Sequence, residues 1–326
     1  MLSLALSNRI GAAAFNHRIR VHVPPGTDTV ESYLSAALGR EVLVSLYLSP
    51  ARANRKPVLQ LLTPQGQTAG FAKIGTNPLT KELVMAEYDA LTGLGHAKLR
   101  EVVVPRVLHY GEWREMNVLV LSPLPVWQRH RRVTEARLAT AMNTVASVGG
   151  LRREPLTASS YWRQLTGRLA AADRSSARDT LLNALNALST RVGPAALVMG
   201  SWHGDWTPWN MASTRGGLLV WDWERFTDGV PLGFDALHYS LQKDVVPGRQ
   251  NPRAAAARCI ENAPELLAPF QVGRGQARLT GILYLADLAT RYLADRQSDA
   301  GARLGAAGMW LIPAITDEMG RLCRVC

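Results

Sequence analysis

The sequence predicts an α+β fold in two lobes, because strand-like and helix-like segments occupy separate parts of the chain. Stretches with the apolar, β-branched composition of strands come first, and segments with helical apolar spacing dominate from Val133 onward. A Pro-rich break at 122–125 lies between them. Each lobe is long enough for its own core. We expect a β-rich N-terminal lobe at 1–121, a hinge at 122–126 and a mainly helical C-terminal lobe at 127–326.

The N-terminal lobe is predicted to be a meander of strands with one helix. Polar breaks at 49–56 and 63–68 separate its first three strands. Helical apolar spacing begins after Asn77-Pro78, and Pro is favoured in the first turn of a helix. The expected elements are strands at 41–48, 57–62 and 70–74, a helix at 79–94 and a strand at 118–121. Residues 1–35 precede them as an extension without an assigned element.

The C-terminal lobe is predicted to be helical around a short strand and a hairpin. The apolar run at 196–199 predicts the strand, and it leads directly into a polar loop that begins at His203. The remaining periodic segments predict helices at 135–148, 159–172, 176–190, 253–267 and 274–294.

The polar loop at 203–210, HGDWTPWN, carries the residue types of a phosphoryl-transfer centre. Such a centre needs one carboxylate to orient and deprotonate an acceptor hydroxyl, and an Asn and a second carboxylate to hold Mg²⁺ against nucleotide phosphates. Asp205, Asn210 and Asp222 supply these groups in that order. Pro208 prevents the loop from continuing as a helix.

A predicted hairpin brings the two expected metal ligands together. Apolar stretches at 210–213 and 218–223 flank Thr214-Arg215-Gly216-Gly217, which is typical of two strands joined by a turn. Asn210 begins the first strand and Asp222 lies at the end of the second. Antiparallel pairing therefore returns Asp222 to the neighbourhood of Asn210.

These motifs resemble those of the aminoglycoside phosphotransferase and choline kinase families, a branch of the protein-kinase-like fold. The families share HGDxxPxN and a following strand that ends in D-W/F-E/D, here HGDWTPWN and VWDWE at 220–224. The segment 228–235, DGVPLGFD, resembles their G-x-P-x-x-D-L stretch. The resemblance implies a bilobal small-molecule kinase that uses ATP or GTP with Mg²⁺, in which Asp205 is the base and Asp235 braces the catalytic loop. His203 is expected to orient that loop by hydrogen bonding.

A lysine in the N-terminal lobe is expected to contact the nucleotide. Lys73 is a single charge within the apolar strand at 70–74, as expected of a lysine that reaches the α- and β-phosphates. The alternative is an exposed strand lysine. Glu87 is the expected partner of Lys73 and Glu82 is its competitor. The family pattern E-x-x-x-L, which 87–91 resembles, favours Glu87.

The first loop departs from the protein-kinase pattern, because 49–56 contains no glycine to cover the phosphates. Ser49 and Asn54 are candidates for donating to phosphate, and a solvated basic loop is the equal alternative. Backbone groups from Leu121 to Leu124, at the hinge, are expected to contact the nucleotide base.

The acceptor is predicted to be neutral or anionic. The chain has 37 Lys and Arg against 26 Asp and Glu, a formal charge of +11, and such a surface attracts anions. It has no acidic cluster outside the catalytic region, so a sugar, nucleoside or nucleoside-type antibiotic is favoured over an aminoglycoside. Resistance to an antibiotic and primary metabolism are both compatible with this class.

Aromatic residues crowd the catalytic segment and keep choline-like acceptors possible. Trp206 and Trp209, in the loop, are candidates for lining the acceptor pocket, whereas Trp221 and Trp223 are expected to pack in the core. Glu224 follows Asp222 by two positions, so on a strand it would share its face and reach the metal, or else pair with a basic residue.

Three other functions are alternatives to a small-molecule kinase. A pseudokinase would lack the Lys, Asp or Asn, and all are present. A nucleic-acid-binding protein would need more than the short basic run at 129–132, so no nucleic-acid partner is expected. A protein kinase would need a longer activation segment between Asp222 and Asp235. No apolar run approaches the length of a membrane span, and a cytoplasmic protein without a membrane partner is expected.

Overall fold

The computed structural model describes residues 24, 26–47, 49, 52–300 and 306–322. Within them the strands are, in chain order, β1 (Leu43–Tyr47), β2 (Val58–Leu62), β3 (Thr68–Gly75), β4 (Val102–Val103), β5 (Val107–Trp113), β6 (Met116–Leu121), β7 (Arg152–Pro155), β8 (Ala196–Trp202), β9 (Met211–Thr214), β10 (Gly217–Val220) and β11 (Thr227–Pro231).

The helices alternate with these strands at first and then dominate. They are α1 (Val30–Leu38), α2 (Pro78–Leu94), α3 (Glu135–Ala146), α4 (Ser160–Ala171), α5 (Ser176–Val192), α6 (Phe234–Val245), α7 (Pro252–Glu261), α8 (Ala263–Leu266), α9 (Arg274–Ala294) and α10 (Ala307–Leu322). In the part of the chain that the structure describes, none of them is both long and apolar enough to cross a membrane. The α+β class and the strands-then-helices order are therefore confirmed.

The chain divides into two compact units. The N-terminal unit contains the described residues of Met1–Ser49, Lys56–Val84 and Arg106–Pro123. The C-terminal unit contains those of Pro50–Arg55, Met85–Pro105 and Leu124–Cys326. The last boundary falls between Pro123 and Leu124, inside the predicted hinge at 122–126. The first loop and the second half of α2 belong to the C-terminal unit, whereas the sequence assigned both to the N-terminal lobe.

The N-terminal unit is built on one antiparallel sheet with the strand order β1-β2-β3-β6-β5. β3 lies at its centre, and Lys73 on β3 is paired with Val58 on β2 and Leu119 on β6. The buried core of this sheet and α1 consists of Leu34, Val42, Leu59, Leu61, Ala69, Ala72, Ile74, Val118 and Val120. The predicted meander is confirmed, with β5 added at the edge.

Helix α1 lies partly within the extension at 1–35 that the sequence left without an element. Thr29 caps it by accepting a hydrogen bond from the backbone of Ser32, and the Ser32 side chain accepts from the Thr29 backbone in return. Gly39 ends the helix in the left-handed conformation. Leu34 is the fully buried residue of α1 and joins it to the sheet core.

The C-terminal unit surrounds its short strands with helices. One sheet has the order β11-β8-β7, and a second has the order β4-β10-β9. Helix α9 contacts α4, α6, α7 and α10, and it is buried on almost every side from Leu279 to Arg291. A helix with buried residues all round is the centre of its unit. β8 and α6 therefore present the loop at 203–210 next to a buried interior.

Candidate active site

The loop at 203–210 begins where β8 ends, at Trp202. Gly204 adopts a left-handed backbone conformation with φ of 83°, and a Cβ at this position would overlap the carbonyl oxygen of Arg225. Only glycine satisfies both conditions without a backbone shift. The glycine thus allows the chain to turn sharply between His203 and Asp205.

Asp235 holds the backbone of this turn. Its two carboxylate oxygens accept hydrogen bonds from the backbone N–H groups of His203, at 2.8 Å, and Gly204, at 3.2 Å. Asp235 lies in the first turn of α6, after Gly233 in the left-handed conformation. Burial raises the pKa of its carboxyl to about 7, although the two backbone hydrogen bonds oppose that effect. These are the contacts that a bracing residue needs.

His203 is buried and uses both ring nitrogens. Nδ1 lies 3.1 Å from the backbone nitrogen of Asp205, which can only donate, and Nε2 lies 3.1 Å from the carbonyl oxygen of Trp221, which can only accept. The ring is therefore the neutral tautomer with its proton on Nε2. Burial lowers the pKa of His203 to about 4, which agrees with a neutral ring.

The carboxylate of Asp205 is held at both oxygens. Oδ1 lies 3.1 Å from Nε2 of His238, and Oδ2 accepts from Nδ2 of Asn210 at 2.8 Å. Burial raises the pKa of Asp205, but its interaction with His238, above all the hydrogen bond, outweighs that effect, so the pKa lies below its ordinary value. The side chain remains 39% exposed. An ionised carboxylate with a fixed orientation is thus accessible at the loop.

Asn210 joins the loop to the hairpin. Its Nδ2 also donates to the carbonyl oxygen of Asp205, at 3.0 Å, so its Oδ1 is the side-chain atom suited to a cation. Its own carbonyl accepts from the backbone N–H of Trp221 at 3.1 Å. Met211 of β9 pairs with Val220 of β10 in antiparallel register. The predicted hairpin is confirmed. It places Trp221, the residue before Asp222, beside Asn210.

The second strand is shorter than predicted, and Asp222 lies outside it. β10 ends at Val220, Asp222 has a left-handed backbone with φ of 70°, and Trp223–Arg225 forms a 3₁₀ turn. The expectation that Asp222 and Glu224 share the face of a strand is therefore wrong. A non-glycine residue in the left-handed region costs about 1–3 kcal/mol and is often found at functional sites.

Three acidic side chains nevertheless meet at this turn. One ligand atom from each of Glu87, Asp222 and Glu224 lies within 4.8 Å of those of the others. Oε1 of Glu87 accepts from the backbone N–H of Trp223 at 3.2 Å. Nδ2 of Asn54 donates to Oε1 of Glu224 at 3.3 Å. This set of oxygen donors is suited to a divalent cation such as Mg²⁺ or Ca²⁺.

The tryptophans of the site divide between core and surface. Trp206 is fully buried, and its Nε1 donates to the sulfur of Met211 at 3.4 Å. The expectation that Trp206 lines an acceptor pocket is therefore wrong for this conformation, because its indole has no exposed surface. Trp223 is also buried, as expected, and Nε1 donates to the carbonyl of Val220. Trp209 is 43% exposed, so it remains a candidate for lining the acceptor pocket.

The expected nucleotide residues lie in both units. Lys73 is 7% exposed, so the alternative of an exposed strand lysine is wrong. Leu121 ends β6 and is buried, and the carbonyl of Leu124 accepts from Val126. Lys73 belongs to the N-terminal unit and Glu87 to the C-terminal unit, and their pairing stays a prediction. The contacts of Ser49 and of the hinge backbone with a nucleotide stay predictions too.

Three residues that the sequence analysis did not single out contact the loop or its support. Arg291 on α9 donates to the carbonyl of Gly204 at 2.7 Å and lies 5.0 Å from the ring centre of Trp202. His238 on α6 contacts Asp205, and Tyr284 on α9 contacts His238. The only sequence signal was the spacing of three between Asp235 and His238, which places both on one helix face.

Comparison with known proteins identifies the fold. No protein-family model and no curated protein matches the sequence. The structure is similar to the apo form of a thermostable mutant of aminoglycoside phosphotransferase APH(4)-Ia, with a TM-score of 0.57 and 16% identity over 90% of this chain and 98% of that chain. Other structures of the same phosphotransferase are ternary complexes with ADP or AMP-PNP and hygromycin B.

Two further kinases show the same likeness. Choline kinase LicA from Streptococcus pneumoniae gives a TM-score of 0.57 and 14% identity, over 90% of this chain and 98% of that chain. Amicoumacin kinase hAmiN, in complex with AMP-PNP, Ca²⁺ and Ami, gives 0.50 and 12%, over 88% and 94%. At these identities the likeness concerns the fold. The chain has the protein-kinase-like fold of the aminoglycoside phosphotransferases and choline kinases.

Proposed function

We propose that the protein is a small-molecule kinase that transfers the γ-phosphate of ATP or GTP to a hydroxyl group of its acceptor. The observation that carries this proposal is the carboxylate of Asp205, which is ionised, partly exposed and held at both oxygens by Asn210 and His238. It lies on a loop whose backbone is fixed by Asp235 and Arg291. Phosphoryl transfer requires such a fixed acceptor for the proton of the attacking hydroxyl.

In the proposed reaction, Asp205 orients the acceptor hydroxyl for in-line attack on the γ-phosphorus. A bond forms between the acceptor oxygen and phosphorus, and the bond from phosphorus to the oxygen of the leaving nucleoside diphosphate breaks. The hydroxyl proton passes to the Asp205 carboxylate and then to solvent. Because the transition state is loose, the protein contributes mainly through position and charge.

The oxygen donors around Asp222 fit a divalent cation. We propose that Oδ1 of Asn210 and the carboxylate of Asp222 hold Mg²⁺, with Glu224 as a further candidate ligand. When bound, Mg²⁺ neutralises negative charge on the nucleotide phosphates. The left-handed backbone of Asp222 is consistent with this role, since strain of this kind persists where the position of a side chain matters.

The nucleotide contacts are proposed residue by residue. Lys73, braced by Glu87, contacts the α- and β-phosphates, and Ser49 and Asn54 donate to phosphate. In the structure Asn54 donates to Glu224. Backbone groups near Leu121 and Leu124 contact the base.

The acceptor is proposed to be a small neutral or anionic molecule with a hydroxyl group. The formal charge of +11 supports this class, and the exposed ring of Trp209 offers a stacking surface for a base or a sugar. The same ring could stack on a cation, so a choline-like or aminoglycoside acceptor is the alternative. A cytoplasmic location stays a prediction.

The experiment is to measure Mg²⁺-dependent release of ADP or GDP from ATP or GTP. The acceptor panel contains sugars, nucleosides, amino alcohols and antibiotics of neutral, anionic and cationic charge. We expect turnover with one acceptor class, and a decrease of about 100-fold or more in Asp205→Ala. Asp179→Ala is the matched control, because it removes an exposed carboxylate on α5 outside the site.

Nucleotide binding separates the outcomes. Asp205→Ala is expected to bind Mg-nucleotide as the wild type does, and Asp222→Ala is expected to bind it more weakly. Full turnover in Asp205→Ala would refute the assignment of the base. Nucleotide binding without turnover on any acceptor or on water would favour a pseudokinase, and the lack of any nucleotide binding would refute the proposal altogether.

A further inference from the structure

A buried histidine lies directly behind the carboxylate of Asp205. His238 is on α6, one helical turn after Asp235, and its Nε2 lies 3.1 Å from Oδ1 of Asp205. Its Nδ1 lies 3.0 Å from the hydroxyl of Tyr284 on α9. The His238 side chain is only 2% exposed, so it cannot touch an acceptor. Any effect of His238 on the reaction must act through Asp205.

The direction of these hydrogen bonds is fixed by their end groups. A carboxylate oxygen can only accept, so Oδ1 of Asp205 accepts from Nε2–H of His238. Burial lowers the pKa of His238, against the raising effect of its hydrogen bond to Asp205. Burial also raises the pKa of Tyr284 well above its ordinary value, so the phenol keeps its proton. A neutral His238 ring with its proton on Nε2 can only accept at Nδ1, so Tyr284 donates to His238 and His238 donates to Asp205.

The imidazole ring is also held by packing. Trp202 and Tyr284 both contact it edge to face, with ring centres 6.4 and 5.9 Å away. Two N–H donors, from Asn210 and His238, then occupy one oxygen each of the Asp205 carboxylate. A carboxylate held at both oxygens cannot rotate freely, so the lone pairs that remain point in a set direction.

We propose that His238, oriented by Tyr284, is a positioning residue that fixes the Asp205 carboxylate for attack by the acceptor hydroxyl. This inference rests on the proposed kinase function. Misplacement of a catalytic group by about 1 Å can cost about 100-fold in rate. The loss of the His238 donor should therefore lower kcat and leave nucleotide binding intact.

The experiment compares two substitutions at position 238. His238→Leu removes the donor but keeps an apolar side chain, and His238→Gln keeps an N–H donor. We expect His238→Leu to lower kcat by about 10–100-fold with the nucleotide Kd within about 2-fold of wild type, and His238→Gln to restore most of the rate. Turnover is measured on the acceptor that the panel identifies and on water, as Mg²⁺-dependent ATP hydrolysis.

The matched control is Gln242→Leu. Gln242 is a buried polar residue on the same helix, one turn further on, and it does not contact Asp205 through any of the described hydrogen bonds. Its kcat should stay within about 2-fold of wild type. The inference is wrong if His238→Leu keeps the wild-type kcat, if His238→Leu and Gln242→Leu lose activity together, or if His238→Gln restores nothing.

Tyr284→Phe tests the same chain of hydrogen bonds without altering His238. We expect kcat to fall about 2–5-fold in the wild type and to stay unchanged in the His238→Gln background, because the glutamine does not need the phenol to orient it. The comparison of Tyr284→Phe in the wild type and in the His238→Gln background tests the role of His238 even if His238→Leu fails to fold. Equal losses in both backgrounds would refute the inference. Full turnover in Asp205→Ala would instead refute the proposed function.

Discussion

His203 joins two backbone segments through one neutral ring. Nδ1 accepts from the backbone of Asp205, and Nε2 donates to the carbonyl of Trp221. A protonated ring cannot accept at Nδ1, so protonation would break the contact with Asp205. The cost of that protonation appears in the pKa of about 4, which burial sets below the ordinary value of 6.5.

The stability of the protein should therefore depend on pH through His203. Between pH 6.5 and 4 the unfolded chain binds a proton at this residue and the folded chain does not, so the free energy of unfolding falls as the pH falls. The stabilising contribution of the neutral His203 ring to the free energy of unfolding is fully present above pH 6.5. The shift corresponds to about 3 kcal/mol at most, since one pKa unit is about 1.4 kcal/mol.

The measurement is denaturant unfolding of the wild type and His203→Asn at pH 7, 5.5 and 4. Asn keeps an acceptor for the Asp205 backbone but does not titrate. We expect the wild type to lose more stability than His203→Asn between pH 7 and 4. Asp235, whose raised pKa acts in the opposite direction, is present in both proteins and cancels. Equal losses would show that His203 is not held neutral in the folded protein.

Some residues of the candidate site can be predicted from the sequence and others cannot. Asp205, Asn210 and Asp222 were predictable because one short motif and one hairpin place all three. His238 and Arg291 were not predictable, because their contacts with the loop depend on how α6 and α9 pack. Side chains more than 30 positions away in sequence meet the loop only through that packing.

At the scale of elements, strong periodicity gave correct predictions. The helix predicted at 274–294 coincides with α9, and the predicted strands at 57–62 and 118–121 lie within about two residues of β2 and β6. The helix predicted at 253–267 is interrupted at Asn262, which lies between the end of α7 and the start of α8.

Several short elements and the last described helix were missed, and α1 and β5 show the physical reasons. α1 at Val30–Leu38 has only nine residues and one fully buried side chain, so its periodic signal is weak and its caps carry much of the information. β5 contains His109, Tyr110 and Gly111, and its intermediate exposure breaks the alternation that marks a strand. β10 was predicted too long because the apolar and aromatic run continues past Val220 into the turn.

The hairpin β9–β10 is tied to helix α3 by one arginine. Nη1 of Arg137 donates to Oγ of Ser213, at 2.9 Å, and to the carbonyl of Thr214, at 2.8 Å, while Nε pairs with Glu101 at 2.8 Å. Because Asn210 precedes this hairpin and Asp222 follows it, loosening the hairpin should loosen the proposed metal ligands.

Arg137→Met is expected to destabilise the protein by about 1–3 kcal/mol, because it leaves partly buried acceptors without their donor. It should also weaken Mg-nucleotide binding several-fold. The measurements are denaturant unfolding and nucleotide titration with and without Mg²⁺. Arg132→Met, which removes an exposed arginine before α3, is the control and should change neither. Lower stability with unchanged nucleotide affinity would show that the hairpin does not hold the proposed metal ligands in place.

At the scale of the whole molecule, the predicted fold is confirmed but the acceptor is not determined by it. The same fold is found in kinases whose names refer to an aminoglycoside, choline and amicoumacin. The formal charge of +11 describes the entire chain and not one pocket. In the proposed kinase, the choice of acceptor depends on side chains around Trp209 and Asp205, which neither the fold nor the net charge specifies.

Nucleotide binding should stabilise the whole protein in a way that depends on the metal ligands. A ligand at 100 times its Kd stabilises a folded protein by about 2.7 kcal/mol. We expect Mg-ATP or Mg-GTP to raise the Tm of the wild type and of Asp205→Ala equally, and to raise that of Asp222→Ala much less.

Thermal unfolding with the nucleotide, with and without excess EDTA, measures these changes in Tm. EDTA should remove most of the rise in the wild type but change little in Asp222→Ala, because that variant lacks the proposed ligand through which Mg²⁺ would strengthen nucleotide binding. A rise in Tm that is equal in all three proteins and insensitive to EDTA would refute Asp222 as a metal ligand and leave Asp205 as the only part of the proposed centre still to be tested by turnover.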